Sequence, residues 1–485
     1  MKRQLLYASA CSLSLLLSGC MVGPKYVKPT VATAPAFREQ PPESFKEVDG
    51  WQTAQPDDQA LRGKWWQIFG DPQLNALEDE LTASNQNLKV SEARFREARA
   101  MIRFNRSQEF PTITTSPSVT NERDSANAPY FPPQYANNGV GNYTLPFDLT
   151  YEVDLWGKVR RTVNASREEA QASAADLETA SLSLHAELAM DYFELRSADA
   201  QKQLLDDTVK AYTDALTLTQ NRFNDGAAPK SDVAQAQTQL DGARVEDTDV
   251  TVMRAQYEHA IATLIDKPPA SFSIAFAPQT PLKLAAIPVG LPATLLERRP
   301  DIAAAERRVA EANEQIGIAR AAYYPALTLD AAAGFEGNTI ANLFSWASRV
   351  WAVGPQASQT LFDAGRRRAV SESATANYDG TVAQYRQTTL NAFQEVEDNL
   401  AALRILEHEA QQQQEATASA SETLQLFTNR YQGGVDNYLQ VITAQTVLLN
   451  NERNDIDLQR RRMDATVLLV KAVGGGWNAK QLPKL

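Results

Sequence analysis

The fold class the sequence predicts is mainly α with a membrane β-barrel, built from two tandem repeats that each read helix, β-hairpin, long helix, helix. Three observations predict it. First, the chain repeats itself: Asn221-Arg222-Phe223 with Gly226 returns as Asn429-Arg430-Tyr431 with Gly434. Val233, Ala236, Gln237 and Leu240 return at the same offset as Val441, Ala444, Gln445 and Leu448. Second, each copy holds a run of good helix formers far longer than a globular helix needs. Third, each copy holds a stretch of period-two alternation long enough to cross a bilayer.

Composition narrows the function classes. The 485 residues carry a formal net charge of −12, which argues against nucleic acid as a partner, because phosphate binding needs a basic surface. The mean hydropathy of −0.38 excludes a bundle of many membrane-spanning helices. Three histidines and two cysteines stand far apart, so no metal or thiol-redox site assembles at recognised spacings. No phosphate-binding glycine loop or nucleophile elbow occurs, and the expectation is a protein that is not an enzyme and holds no cofactor.

The elements follow in order. Lys2 and Arg3 precede an apolar stretch from Leu5 to Leu17, which reads as a secretory leader over 1–19. It ends in Leu17-Ser18-Gly19-Cys20, which resembles a lipobox, so Cys20 is the expected lipid anchor, bearing N-acyl and S-diacylglycerol groups. An ordinary leader with a chance cysteine is the alternative. Residues 20–70 are then a lipidated extended segment, 71–270 the first repeat, 271–290 a linker, 291–475 the second repeat and 476–485 a tail. Met21 rather than Asp follows the anchor, which fits passage to the outer membrane of a Gram-negative cell.

Upstream of the long helices, Leu88, Ala98, Ile102, Arg106, Phe110 and Pro111 match Ile302, Ala312, Ile316, Arg320, Tyr324 and Pro325. The long helices are expected at about 158–224 and 366–432, each roughly 100 Å at about 1.5 Å per residue. Leu177, Leu184, Leu188 and Leu195 make a coiled-coil-like seam on the first. The second carries Gly380 as its one breaker. A solvated coiled-coil rod would show the same periodicity.

The hairpins, at about 112–155 and 327–362, speak against a rod. Tyr143, Leu145, Phe147, Leu149, Tyr151, Val153 and Leu155 alternate with Thr144, Asp148, Thr150, Glu152 and Asp154. Ile113 and Val119 extend the pattern in the preceding strand, and Leu327, Leu329, Ala331, Ala333 and Phe335 in the second copy. Trp351, Val353, Ala357 and Leu361 supply a weaker fourth strand. A soluble sandwich could alternate likewise, but two hairpins cannot make a second sheet. In a membrane, strands must close into a barrel, and barrels start at about eight strands. Four strands therefore require oligomerisation, with polar residues lining a lumen and apolar ones facing lipid.

Arg299-Pro300-Asp301-Ile302, followed by Ala305-Glu306, Ala310, Ala312, Ile316-Gly317, Ala319, Ala321 and Tyr324-Pro325, resembles the hallmark of the TolC-like outer-membrane factors. Val22-Gly23-Pro24-Lys25-Tyr26, Trp65-Trp66 with Phe69-Gly70-Asp71-Pro72, Leu361-Phe362-Asp363-Ala364-Gly365-Arg366 and Phe393-Gln394-Glu395-Val396-Glu397 point to the lipoprotein, NodT-type branch. The resemblance covers nearly the whole mature chain. It implies a homotrimer with a twelve-stranded outer-membrane barrel continued by a periplasmic α-helical tunnel. It further implies an exit duct of a tripartite efflux system, docked by a periplasmic membrane-fusion adaptor to an inner-membrane pump of the RND or major-facilitator type.

By the same resemblance the periplasmic gate lies where the helical hairpins turn, at 224–231 and 432–438. Asp232 and Leu439 occupy positions similar to the acidic and apolar constrictions of relatives. Threefold repetition turns one carboxylate into a ring that favours cations. Thr443 stands where some relatives carry aspartate, so the expected ring is either weaker or displaced towards Asp436. Both aspartates also suit a helix N-terminus on capping grounds alone. Arg222, Gly226, Arg430 and Gly434 form the expected adaptor-docking turns, with the arginines equally suited to helix C-terminal dipoles. Tyr143 and Trp351 suit an interfacial belt or a barrel-loop contact. Two other functions remain open: a non-conducting, periplasm-spanning structural lipoprotein, and a type I protein-secretion duct.

Overall fold

The computed structural model describes residues 21–39, 63–123, 125, 139–278, 287 and 292–485. The leader and Cys20 lie outside the described residues. The elements run α1 (Pro72–Ser84), α2 (Gln86–Ser107), β1 (Thr112–Thr115), β2 (Ser118–Glu122), β3 (Val140–Val153), α3 (Lys158–Asn224) and α4 (Lys230–Leu264) in the first copy. The second copy runs α5 (Pro292–Arg298), α6 (Pro300–Ala321), β4 (Ala326–Gly337), β5 (Arg349–Ser358), α7 (Arg366–Gln432) and α8 (Tyr438–Ala472).

The two long helices have 67 residues each, and Gly380 does not interrupt α7. Both start the same way. Gly157 and Gly365 precede them at φ 79° and 88°, in the left-handed region where a side chain would be strained. Asp154 accepts from the amides of Val159 and Arg160, and Asp363 from those of Gly365 and Arg367, so a carboxylate satisfies the orphan donors of each N-terminus.

Instead of two isolated hairpins, the strands form one antiparallel sheet in which β3 pairs β4 at its centre. β1 and β2 both pair β3, in succession, so they are one strand broken at Ser116-Pro117, where proline removes a ladder donor. β3 ends at Val153 and β5 at Ser358, so Leu155 and Leu361 lie past the strands, in the turns that lead into the long helices. The rows Ile113–Leu149–Ala331–Val353 and Phe147–Ala333–Trp351 put the apolar residues on one face. Thr112–Thr150–Asp330 and Glu152–Thr328–Gln356 put the polar ones on the other. The apolar face is uncovered: Ile113, Phe147, Trp351 and Val353 are exposed. Among the described residues the outer edges of β1/β2 and β5 have no strand partner.

The core lies in the helical body near the ends of the two repeats. Trp65, Trp66, Phe69, Leu188, Tyr192, Phe193, Leu195, Ile302, Val309, Val396, Val467 and Leu469 share one buried cluster. Polar networks fasten its rim. Asp199, fully buried, receives Arg196 at 2.8 Å and Arg254 at 2.7 Å, and accepts the amide of Ala277, which holds the start of the linker. Glu78 and His185 meet at 2.5 Å, and Trp66 stacks on the imidazole. Burial pushes the Glu78 carboxyl up to about 10, with Asp79 adding to it, and the His185 imidazole down to about 4. The contact is therefore a neutral hydrogen bond from a protonated carboxyl to the ring nitrogen rather than an ion pair.

Candidate gate at the tip of the helical hairpins

Each long helix ends in a turn that its sequence dictates. Gly226 at φ 75° and Gly434 at φ 74° reverse the chain, and the amides of Ala227 and Val435 donate to the carbonyls of Arg222 and Arg430. Pro229 restarts the first hairpin as N-cap of α4, and Asn437 caps α8 by accepting from Gln440. The returning helices lie side by side, in a register one residue short of the repeat offset. Gln239 donates to Thr446 at 3.0 Å, and Arg453 pairs Glu246 at 2.8 Å. Beneath the turns, Ala236, Tyr431, Tyr438 and Val441 form a small buried cluster. Burial pushes the Tyr438 phenol up to about 12, and the neighbouring Tyr431 and Asp232 add to that shift.

The structure separates the expected gate residues. Asp436 makes a bidentate pair with Arg430, at 2.5 and 3.2 Å, and that guanidinium holds its carboxyl below the usual aspartate range. Its charge is paired within the turn, so an acidic ring there would have to share each carboxylate with Arg430. Asp232 sits in the first turn of α4, where Ser231 donates to it at 3.4 Å, and it has no basic partner among the described residues. Leu439 is 52% exposed one residue into α8. Thr443, one turn further on, turns its hydroxyl back to the Leu439 carbonyl and lines a groove of about 430 Å³ between α7 and α8.

The docking arginines are also engaged within the chain. Arg222 lies over the Tyr431 ring, 4.5 Å from its centroid, and donates to the carbonyls of Tyr431 and Gln432 at 3.0 and 3.2 Å. It thus caps the last turn of the other long helix and ties the two hairpins together. This clasp joins residues of different repeats, and no spacing in the sequence signals it. The exposed apices are Gly226, Ala227, Gly434 and Val435, whose backbone and small side chains face outward.

The sequence motifs find their partners elsewhere in the body. Arg299 holds Asp301 in a bidentate pair and also reaches Glu395 at 2.6 Å and the carbonyl of Ala472, which joins two motifs and the end of α8. Glu397 accepts the amides of Arg38 and Glu39. Tyr26 donates to Glu306, and a Cβ on Gly23 would meet the Gly317 backbone at 2.6 Å, so Gly23 must be glycine for the segment to lie flat on α6. These residues act as fasteners of an extended N-terminal strap.

The family model described as outer membrane efflux protein matches residues 77–266 and 291–475. The chain is 32% identical over 468 residues to the toluene efflux pump outer membrane protein TtgF of Pseudomonas putida, with 96% of each chain covered. It is 31% identical over 483 residues to the outer membrane protein OprJ of Pseudomonas aeruginosa, covering 99% of this chain and 97% of OprJ. The solved structure of the outer-membrane channel OprN superposes with a TM-score of 0.83 at 27% identity, over 94% of this chain and all of that one. The repeat-by-repeat match and the shared sheet and long hairpins lead to one conclusion: the chain belongs to the outer membrane efflux protein family and is an outer-membrane exit duct of an efflux pump.

Proposed function

We propose that three copies of this chain close one barrel and one tunnel, and that the tunnel opens at the hairpin tips to pass molecules handed over from the inner membrane. The observation that carries it is a four-stranded sheet with one apolar face and two unpaired edges. Such a sheet satisfies its backbone in a bilayer only by pairing β5 of one copy with β1/β2 of the next. A non-conducting scaffold has no use for this face. Light scattering of the detergent-extracted protein is expected to give the mass of three chains.

Cys20 would carry the lipid. Val22 donates to the Trp156 carbonyl at 3.0 Å and Met21 packs on Gly157, so the residues after the cysteine sit where β3 passes into α3. The glycine apices suit a periplasmic membrane-fusion adaptor, whose energy source would be an RND or major-facilitator transporter. The toluene pump among the relatives makes small apolar xenobiotics the first substrate class to test.

At the tip, Asp232 supplies the acidic ring and Leu439 the apolar plug, without Asp436. Planar-bilayer conductance tests this. The parent should give a small, cation-selective conductance that rises in the Asp232→Ala, Leu439→Ala double variant. Absence of conductance in both, from folded and inserted protein, would sink the proposal that the tunnel opens at these two residues.

A further inference from the structure

The β4–β5 connection stands at the end of the sheet away from the helices, since β4 leaves α6 at Ala326 and ends at Gly337. Eleven steps of about 3.3 Å, tilted by about 40°, carry it roughly 27 Å along the barrel axis, the height of an outer-membrane apolar band. Residues 338–348 therefore reach the outer leaflet. They are locked into one shape: Ser348 Oγ donates to the Asn342 carbonyl at 2.7 Å, Ser345 bonds Ser348 at 3.0 Å, and Asn342 bonds Asn338 at 2.9 Å. This rigid loop displays Trp346, Ile340 and Phe344 at 84%, 70% and 68% exposure. Buried aromatic surface is the norm in a protein interior, so such a display marks a contact with something apolar.

The register says which way it faces. Phe344 packs edge-on against Phe335, ring centroids 5.4 Å apart, and Phe335 lies in the row Leu145–Phe335–Arg349 on the apolar face. The loop thus continues the lipid-facing surface upward. Closing the barrel engages strand edges and leaves this face free. Arg349 is a cation on the same face, where the hydrocarbon ends. It stands beside Trp346, donates through Nε to the Trp346 carbonyl at 3.4 Å, and has no carboxylate partner among the described residues.

We propose that Ile340, Phe344, Trp346 and Arg349 form a docking surface for the phosphate-bearing, multiply acylated glycolipid of the outer leaflet, lipid A. The apolar side chains take acyl chains, and the guanidinium, tied to the Trp346 carbonyl through Nε, takes a phosphate, for which its planar fork is suited. Charge complementarity and continuity with the lipid-facing band select this occupant.

Native mass spectrometry of the full-length, detergent-extracted protein tests the surface, with purified diphosphoryl lipid A, its dephosphorylated form and phosphatidylethanolamine as probes. The parent should retain diphosphoryl lipid A about tenfold better than the dephosphorylated form, the scale of a charge-assisted bidentate contact. Arg349→Gln should erase that preference, Arg349→Lys keep part of it, and Trp346→Ser weaken retention of both forms. Unchanged bilayer conductance of each variant shows that the duct is folded. An Arg349→Gln protein with the parent's preference overturns the proposal. So does a parent that retains all three lipids alike, or one for which inorganic phosphate displaces lipid A as effectively as more lipid A.

Discussion

Glu78 and His185 share one proton in the core, and that proton sets a pH dependence. The unfolded chain releases it near the ordinary carboxylate value of 4.5, whereas the folded chain holds it to about 10. The stability it confers is complete below the unfolded value and drains away as pH climbs towards the folded one. Glu78→Gln keeps a donor to the imidazole without a titrating group. Between pH 7 and 9, above the range in which His185 titrates, the variant should gain on the parent by up to about 1.4 kcal/mol per pH unit. Melting at the two pH values measures this, and a constant difference would refute the neutral pair. Arg222 offers a second test at this scale. Arg222→Ala removes two charge-assisted bonds and a ring contact, together about 1–3 kcal/mol of the closed tip. Single-channel recording should show a larger open fraction, while the melting temperature, set in the distant core, stays near the parent's.

At the scale of elements, the sheet tolerates little bulk where β3 and β4 meet. A Cβ on Gly334 would lie 2.3 Å from the Leu145 carbonyl oxygen and 2.9 Å from Pro146 Cα, both backbone atoms that cannot step aside. Gly334→Val should therefore cost about 1–3 kcal/mol and force the two central strands apart. Because β3–β4 is the pairing that joins the two repeats, the expected readout is a smaller yield of assembled protein in the outer-membrane fraction. A yield and melting temperature equal to the parent's would show that the strands can separate without loss. The long helices are laid out with more slack: their N-termini are fixed by Asp154 and Asp363, while much of their length carries exposed polar residues.

For the whole molecule, stability is uneven along the long axis. The large buried cluster lies in the body of the helices, around Leu188, Leu195, Val309 and Val467, whereas the clusters towards the tip are small, Ala236, Tyr431, Tyr438 and Val441 in one and Tyr212, Leu240 and Ala243 in the next. Contacts between α4 and α8 near the tip are surface bonds such as Arg453–Glu246, each contributing about 0–1 kcal/mol. In the gating proposed above, opening would be confined to the hairpin ends while the body keeps its shape. Hydrogen exchange should be faster by orders of magnitude in segments 230–240 and 438–448 than in 184–198 and 302–316. Uniform protection would place the moving part elsewhere.

The sequence by itself determined the elements. A run free of glycine and proline specifies the helix Lys158–Asn224, a run broken only by Gly380 specifies Arg366–Gln432, and alternation specifies which strand residues share a face. Internal repetition showed that one unit occurs twice, and the ordered motifs carried the family. These are local properties, fixed by backbone geometry and by the spacing of side chains along one element. Tertiary structure decided what depends on residues distant in the chain. It joined the hairpins into one sheet and paired Arg299 of one motif with Glu395 of another. At the tip it spent Asp436 on Arg430 and Arg222 on Tyr431, and left Asp232 without a basic partner among the described residues. Charge identity is legible in a sequence, but whether a charge is free depends on which partner the fold brings within a few ångströms of it.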